Sequence, residues 1–178
     1  MSDPMKNPFW DFSVSAYRID GVAEACLRLQ DRHGVDVNLF FYFCWLGGVR
    51  DSALESAEIM AVQEATAGWR DQVVRPLREV RRHMKSGYPG MDAGAVESLR
   101  TEVKRIELQS ERQQQDFLYT MARNSKETTE LSVMAAARAD RNVRQYLRSI
   151  GATLEPADES DCEAVIAGCF GGGPTTAE

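Results

Sequence analysis

Val37-Asn38-Leu39-Phe40-Phe41-Tyr42-Phe43-Cys44-Trp45-Leu46 is the stretch that decides the fold. Wound as a helix it is apolar on every side except at Asn38, and a helix that is hydrophobic all round is buried all round. The wider apolar run, Leu39 to Val49, would span about 17 Å, far short of the roughly 30 Å hydrocarbon layer of a membrane. It is therefore expected as the central pillar of a protein core. Asp36 is placed to cap its first turn, and Gly47-Gly48 to stop it. The fold class that follows is all-α: a compact bundle of six to eight helices around this central buried apolar helix.

Helical periodicity continues on both sides, and alternating strand-like runs are nearly absent. Asn7 caps and Pro8 opens a first helix through about Tyr17. Asp20 caps a second, with Val22, Cys26 and Leu29 on its apolar line, and Gly34 ends it. A fourth helix is expected from Asp51 or Ser52 to about Ala67, and a fifth from Trp69 to Lys85. Pro76 lies inside the fifth, so a kink or break is expected near Val73. After the loop Ser86-Gly87-Tyr88-Pro89-Gly90, Asp92 opens a long helix to about Asn124. Val96, Leu99, Val103, Ile106, Phe117 and Met121 share one stripe of it. A seventh covers roughly Glu127 to Ile150. Residues 8–150 thus read as a single helical domain. Residues 151–178 read as an acidic, Gly-containing, partly disordered tail, with a short helix over Asp161 to Cys169.

The chain has 178 residues and a net charge of −6, which argues against general binding to nucleic acid or anionic membranes. Its four cysteines, Cys26, Cys44, Cys162 and Cys169, form no C-x-x-C or zinc pattern, so cytosolic thiols are expected, with Cys26 and Cys44 buried among apolar neighbours. Met1 to Pro8 lacks a charged start with an apolar core behind it, so no signal peptide is read, and the localisation expected is cytoplasmic.

Phe9-Trp10-Asp11-Phe12-Ser13, Tyr17, Cys26-Leu27, Leu29-Gln30, Gly34, Asp36-Val37-Asn38-Leu39 and Trp45 together resemble a family of small proteobacterial proteins, the domain of unknown function numbered 2390. Val73-Val74-Arg75-Pro76-Leu77-Arg78, with Arg81-Arg82, resembles it too. The likeness is dense over residues 8 to 85. It implies a bacterial, cytoplasmic, compact protein, and it carries no reaction, ligand or catalytic residue.

Two constellations stand out. The polar residues Ser13, Tyr17, Gln30, Asp36 and Asn38, with Trp10 and Trp45, could line a small ligand pocket at the mouth of the apolar core. Read structurally, they form a hydrogen-bonded network that locks three helices together. Arg75, Arg78, Arg81, Arg82 and Lys85 fall within an arc of about 120° and make a basic ridge. Residues 70–85 carry a local charge of +4. The ridge suits phosphate or an acidic partner, unless antiparallel packing pairs it with Glu55, Glu58 and Glu64. In the long helix, Ser110, Gln113 and Gln114, flanked by Glu107 and Glu111, interrupt the apolar stripe. They read as a solvated overhang.

Chemistry is thinly represented. His33 and His83 have no Glu three residues before them, and His33 reads as a surface residue at a helix end. Asp158-Glu159-Ser160-Asp161 reads as solvated charge. No G-x-S-x-G, Walker A or G-x-G-x-x-G occurs. No metal site and no cofactor are expected, and catalysis is the lesser expectation. The leading reading is a non-enzymatic interaction or regulatory protein whose partner is another protein, a second copy of the chain included. A binder of a small or lipid-like ligand is the alternative. A nucleic-acid or ribosome-associated factor using residues 70–85 is the third.

Overall fold

The computed structural model describes residues 7–122 and 134–171. Among them there is no strand; the chain folds as a compact all-α bundle. The helices are α1 (Pro8–Tyr17), α2 (Val22–His33), α3 (Val37–Gly48), α4 (Ser56–Trp69), α5 (Arg75–Met84), α6 (Ala93–Met121), α7 (Ala135–Ser149) and α8 (Pro156–Gly171).

Helix α3 is the pillar. Every residue from Asn38 to Gly48 is buried, and α1, α6, α7 and α8 surround it. Asp36 accepts from the Asn38 and Leu39 N–H groups at 2.9 and 3.3 Å, so the cap expected from sequence forms. Phe9, Tyr42 and Trp45 interlock on one side, with ring centroids 5.3 to 6.1 Å apart, and Phe43 meets Tyr146 at 5.2 Å on another.

The glycine pair forms the last two residues of α3, so the helix ends after it rather than before it, and neighbours approach both positions too closely for a side chain. A Cβ on Gly47 would come within 2.5 Å of the Ala139 backbone of α7, and one on Gly48 would overlap the Phe170 ring of α8. These positions are packing devices rather than stop signals.

Three other boundaries differ from the sequence reading. Gly21, at φ +83°, occupies the N-cap of α2 in place of Asp20. Helix α4 begins only at Ser56, where Glu58 reaches back to the Glu55 N–H at 2.8 Å. The preceding turn is held open from outside: Asn142 accepts from the Leu54 N–H at 2.8 Å and donates to the Ser52 carbonyl at 2.9 Å. Asp51, at φ +54°, lies in the same turn. At the far end of α4 the helix runs on through Gly68 into a π turn, Arg70–Val74, and then α5. Widening the helix just before Pro76 accommodates the missing N–H without breaking the rod. The irregularity lies where Pro76 placed it, near Val73, but as a π turn rather than a break.

Beyond Ile150 the chain remains part of the bundle. Helix α8 packs along α2, and its Cys162, Val165 and Ile166 belong to the same core as Leu29 and Leu39. The helix is longer at both ends than Asp161 to Cys169. Its acidic start is inside: Asp158 and Asp161 are buried beneath α2, where Asp161 meets Arg28 at 2.6 Å and Asp158 pairs with Arg32. Charge read as solvated is therefore interhelical. Residues 172–178, and residues 127–133 of the expected seventh helix, lie outside the described residues.

Candidate functional site

Part of the polar surface of α6 points inward. Gln113 is exposed, as expected, but Glu107, Ser110, Gln114 and Gln115 are buried with Leu118, which overturns the expectation of a solvated overhang at Ser110 and Gln114. Each has partners waiting. Asn38 donates to Gln114 Oε1 at 3.0 Å and accepts from Gln115 Nε2 at 2.7 Å. Gln114 Nε2 donates to Asp36 Oδ2 at 2.7 Å, and the Tyr146 hydroxyl accepts from the Asp36 N–H at 2.8 Å. Burial, and then the nearby Asp36 charge, push the Tyr146 phenol pKa up, so it stays neutral. Helices α3, α6 and α7 are thus joined through polar groups.

A second layer joins α2, α5 and α6. Arg78 donates to Glu107 at 3.1 Å, to Glu111 at 2.5 Å and to Gln30 at 2.6 Å. Arg81 also binds Glu107. Burial works to raise the Glu107 carboxyl, yet Arg81 and Arg78 outweigh it and hold it below the usual range. At Glu111 burial prevails over Arg78, and the carboxyl is pushed up.

The basic ridge is accordingly consumed, though by other acids than the sequence suggests. Because α4 runs on through the π turn into α5 instead of folding back on it, Glu55, Glu58 and Glu64 do not pair with the ridge; Glu55 instead meets Arg141 at 2.9 Å. Arg82 pairs with Asp31 at 2.5 Å and Arg75 with Asp71 at 3.0 Å, both on the surface, and Lys85 stands exposed at the end of α5.

The seven residues grouped as a candidate pocket are dispersed by the fold. Ser13 donates to the Phe9 carbonyl at 2.9 Å inside α1. Trp10 carries the Arg112 guanidinium on its face, with the centroid 4.4 Å away, and Trp45 likewise faces Arg50 at 4.6 Å. Tyr17 lies at the surface with its ring edge toward Phe41. Gln30, Asp36 and Asn38 belong to the two networks just described. Of the seven, Asp36 alone reaches a cleft of about 330 Å³ that opens beside the π turn, where Arg70, Arg75, Glu64, Gln63, His33 and Tyr146 also converge. Tyr17 borders a different groove, of about 580 Å³, between α1 and α2.

His33 is not the surface residue expected. Its Nε2 lies 3.0 Å from Asp158 Oδ2, between α2 and α8. Sequence reasoning missed Arg70 and Tyr146 at the cleft; Pro76 marked the distortion that puts Arg70 there. Among the described residues no cluster of His, Cys, Asp or Glu is arranged to hold a metal ion, and no helix is long and apolar enough to cross a membrane.

Beside its buried polar residues and its exposed charged side, α6 leaves an apolar stripe in solvent. Leu99, Ile106, Phe117 and Met121 are 41 to 58% exposed. At 100° per residue they fall within an arc of about 60°. Trp69, whose indole N–H donates to the Ser110 carbonyl at 2.9 Å, stands beside this stripe and is itself exposed.

These features define a class: an all-helical protein cemented by buried polar and ionic networks, with an apolar stripe left outside. The chain belongs to the family described as protein of unknown function (DUF2390), whose sequence pattern matches residues 8–118. Comparison with curated proteins and with solved structures gave no match.

Proposed function

We propose that this is a non-enzymatic cytoplasmic interaction protein of bacteria, acting in regulation through the outer side of α6. One observation carries the reading: α6 buries Glu107, Ser110, Gln114 and Gln115 while Leu99, Ile106, Phe117 and Met121 stay 41 to 58% exposed. An apolar helix stripe ordinarily faces a core, and exposed apolar patches on soluble proteins mark interaction surfaces. The paired arginines support the same reading against nucleic-acid binding, since Arg78 and Arg81 already hold carboxylates. The cleft beside the π turn favours a small polar ligand as a second reading, because π turns recur at functional sites.

The test is comparative capture from the native cell. Proteins retained by the wild-type chain and by Met60→Glu, an exposed control on α4, are expected to be lost from Leu99→Glu and Phe117→Glu. Identical sets from all four chains would overturn the reading.

A further inference from the structure

The four cysteines, far apart in sequence, gather where α2, α3 and α8 meet. Cys26, Cys44 and Cys162 are buried, and Cys169 is partly exposed at the edge of the same core. A side-chain hydrogen bond joins the thiols of Cys44 and Cys169, and Cys26 and Cys162 lie within electrostatic reach of Cys44. A glycine brings the bonded pair together. Cys44 stands one turn before Gly48 on α3, and Cys169 precedes Phe170 on α8, whose ring a Cβ on Gly48 would overlap. The two helices thus approach closely at the level of the two sulfurs. No metal site accounts for the gathering, since among the described residues no His, Cys, Asp or Glu cluster is arranged to hold an ion.

We infer that Cys44 and Cys169 form a site of reversible oxidation, at which a hydroperoxide converts the two thiols into one disulfide between α3 and α8. The site lies away from α6 and does not depend on the proposed interaction role. Exposure sets the order of events, because Cys169 is the one of the four that solvent reaches. Burial pushes Cys26 and Cys162 up to about 12 and Cys44 well above the ordinary thiol range. Those three stay protonated, and the thiolate is the form that attacks peroxide. The Cys169 thiolate attacks one peroxide oxygen: an S–O bond forms, the O–O bond breaks, and the departing alkoxide takes up the proton that Cys169 released. The product is a sulfenic acid. Cys44 then attacks that sulfur from its place in contact with it. The S–S bond forms, the S–O bond breaks, and the hydroxide leaves with the Cys44 proton as water. Two thiols are oxidised to a disulfide, and the hydroperoxide is reduced to an alcohol and water. A sulfenic acid with a thiol in contact is trapped as a disulfide before a second peroxide reaches it.

Hydrogen peroxide added to the full reduced chain tests this, read by thiol counting in denaturant and by peptide mass mapping without reductant. Thermal melting before oxidation checks the fold of each variant. The wild-type chain is expected to fall from four free thiols to two, with Cys44 joined to Cys169, at a rate independent of protein concentration. Dithiothreitol should restore all four. Cys44→Ala should leave Cys169 as a sulfenic acid that dimedone captures, and Cys169→Ser should keep its three thiols. The wild-type map decides the matter even where a variant fails to fold. A chain that keeps four thiols overturns the inference, as does one that joins Cys169 to Cys26, to Cys162 or to a second chain. So does a chain in which Cys169 becomes a sulfinic acid while Cys44 stays unlinked.

Discussion

Arg78 of α5 donates through Nε to Glu107 of α6 at 3.1 Å, and this pair is mostly withdrawn from solvent. The same guanidinium also reaches Glu111 and, on α2, Gln30, so one side chain ties three helices. Removing one partner of such a pair strands the other charge in a poorly hydrated place, which costs about 3 to 5 kcal/mol in comparable cases. Arg78→Ala is expected to lose about 3 kcal/mol, read by urea unfolding. Arg78→Met with Glu107→Leu should recover much of that loss. A single variant within about 0.5 kcal/mol of wild type would contradict the assignment.

Ion pairing of the ridge also sets its behaviour toward polyanions. A site with six phosphate contacts would bind RNA at low salt and lose about 10³-fold across moderate salt. No RNA retention is expected even at low salt, and reversing Arg78 to Glu should lower the melting temperature instead. Strong, salt-sensitive RNA binding by the wild-type chain would show the arginines to be available.

The carboxylates predict an acid response of mixed sign. Glu107 is held low by Arg81 and Arg78 against the effect of burial. Asp158 is held low chiefly by the Glu155 N–H, with His33 and Arg32 adding to it. A carboxyl depressed on folding contributes stability that is complete above its unfolded value, near pH 4, and is lost as pH falls through the folded value. Glu111, raised by burial, costs stability above its folded value, and that cost fades on acidification. Thermal melts between about pH 7 and pH 3 should therefore show Glu107→Gln with a shallower acid loss than wild type, and Glu111→Gln with a steeper one. Equal acid slopes in all three proteins would refute this.

The pillar itself gives the most direct stability test. Phe41 is 2% exposed in α3. Its replacement by Ala should cost about 3 to 5 kcal/mol, because the surrounding helices cannot close over the space. Near-wild-type stability of that variant would mean that α3 is not central.

What could be read from the sequence was local in origin. The all-helical class follows from periodicity, and the burial of Val37–Leu46 from a segment with no polar side to offer water. Asn7, Asp36 and Asp92 cap the helices that they were expected to cap, accepting backbone N–H groups within three residues. Pro76 announced its distortion because a missing N–H acts on its own turn.

What only the tertiary structure decided depends on residues far apart in the chain. The inward side of α6 was misjudged because its buried glutamines and glutamates find partners in Asn38, Asp36, Arg78 and Arg81, a match invisible until the helices are placed, and only Gln115 Oε1 is left without one. Asp158 and Asp161 were read as solvated for the same reason, their partners Arg28 and Arg32 lying more than a hundred residues away. Gly47 and Gly48 look like a helix stop until Ala139 and Phe170 arrive against them. Patterning predicts burial from polarity alone. A polar group that finds its partners costs little to bury, and Leu99, Ile106, Phe117 and Met121 of the same helix can then be left to water.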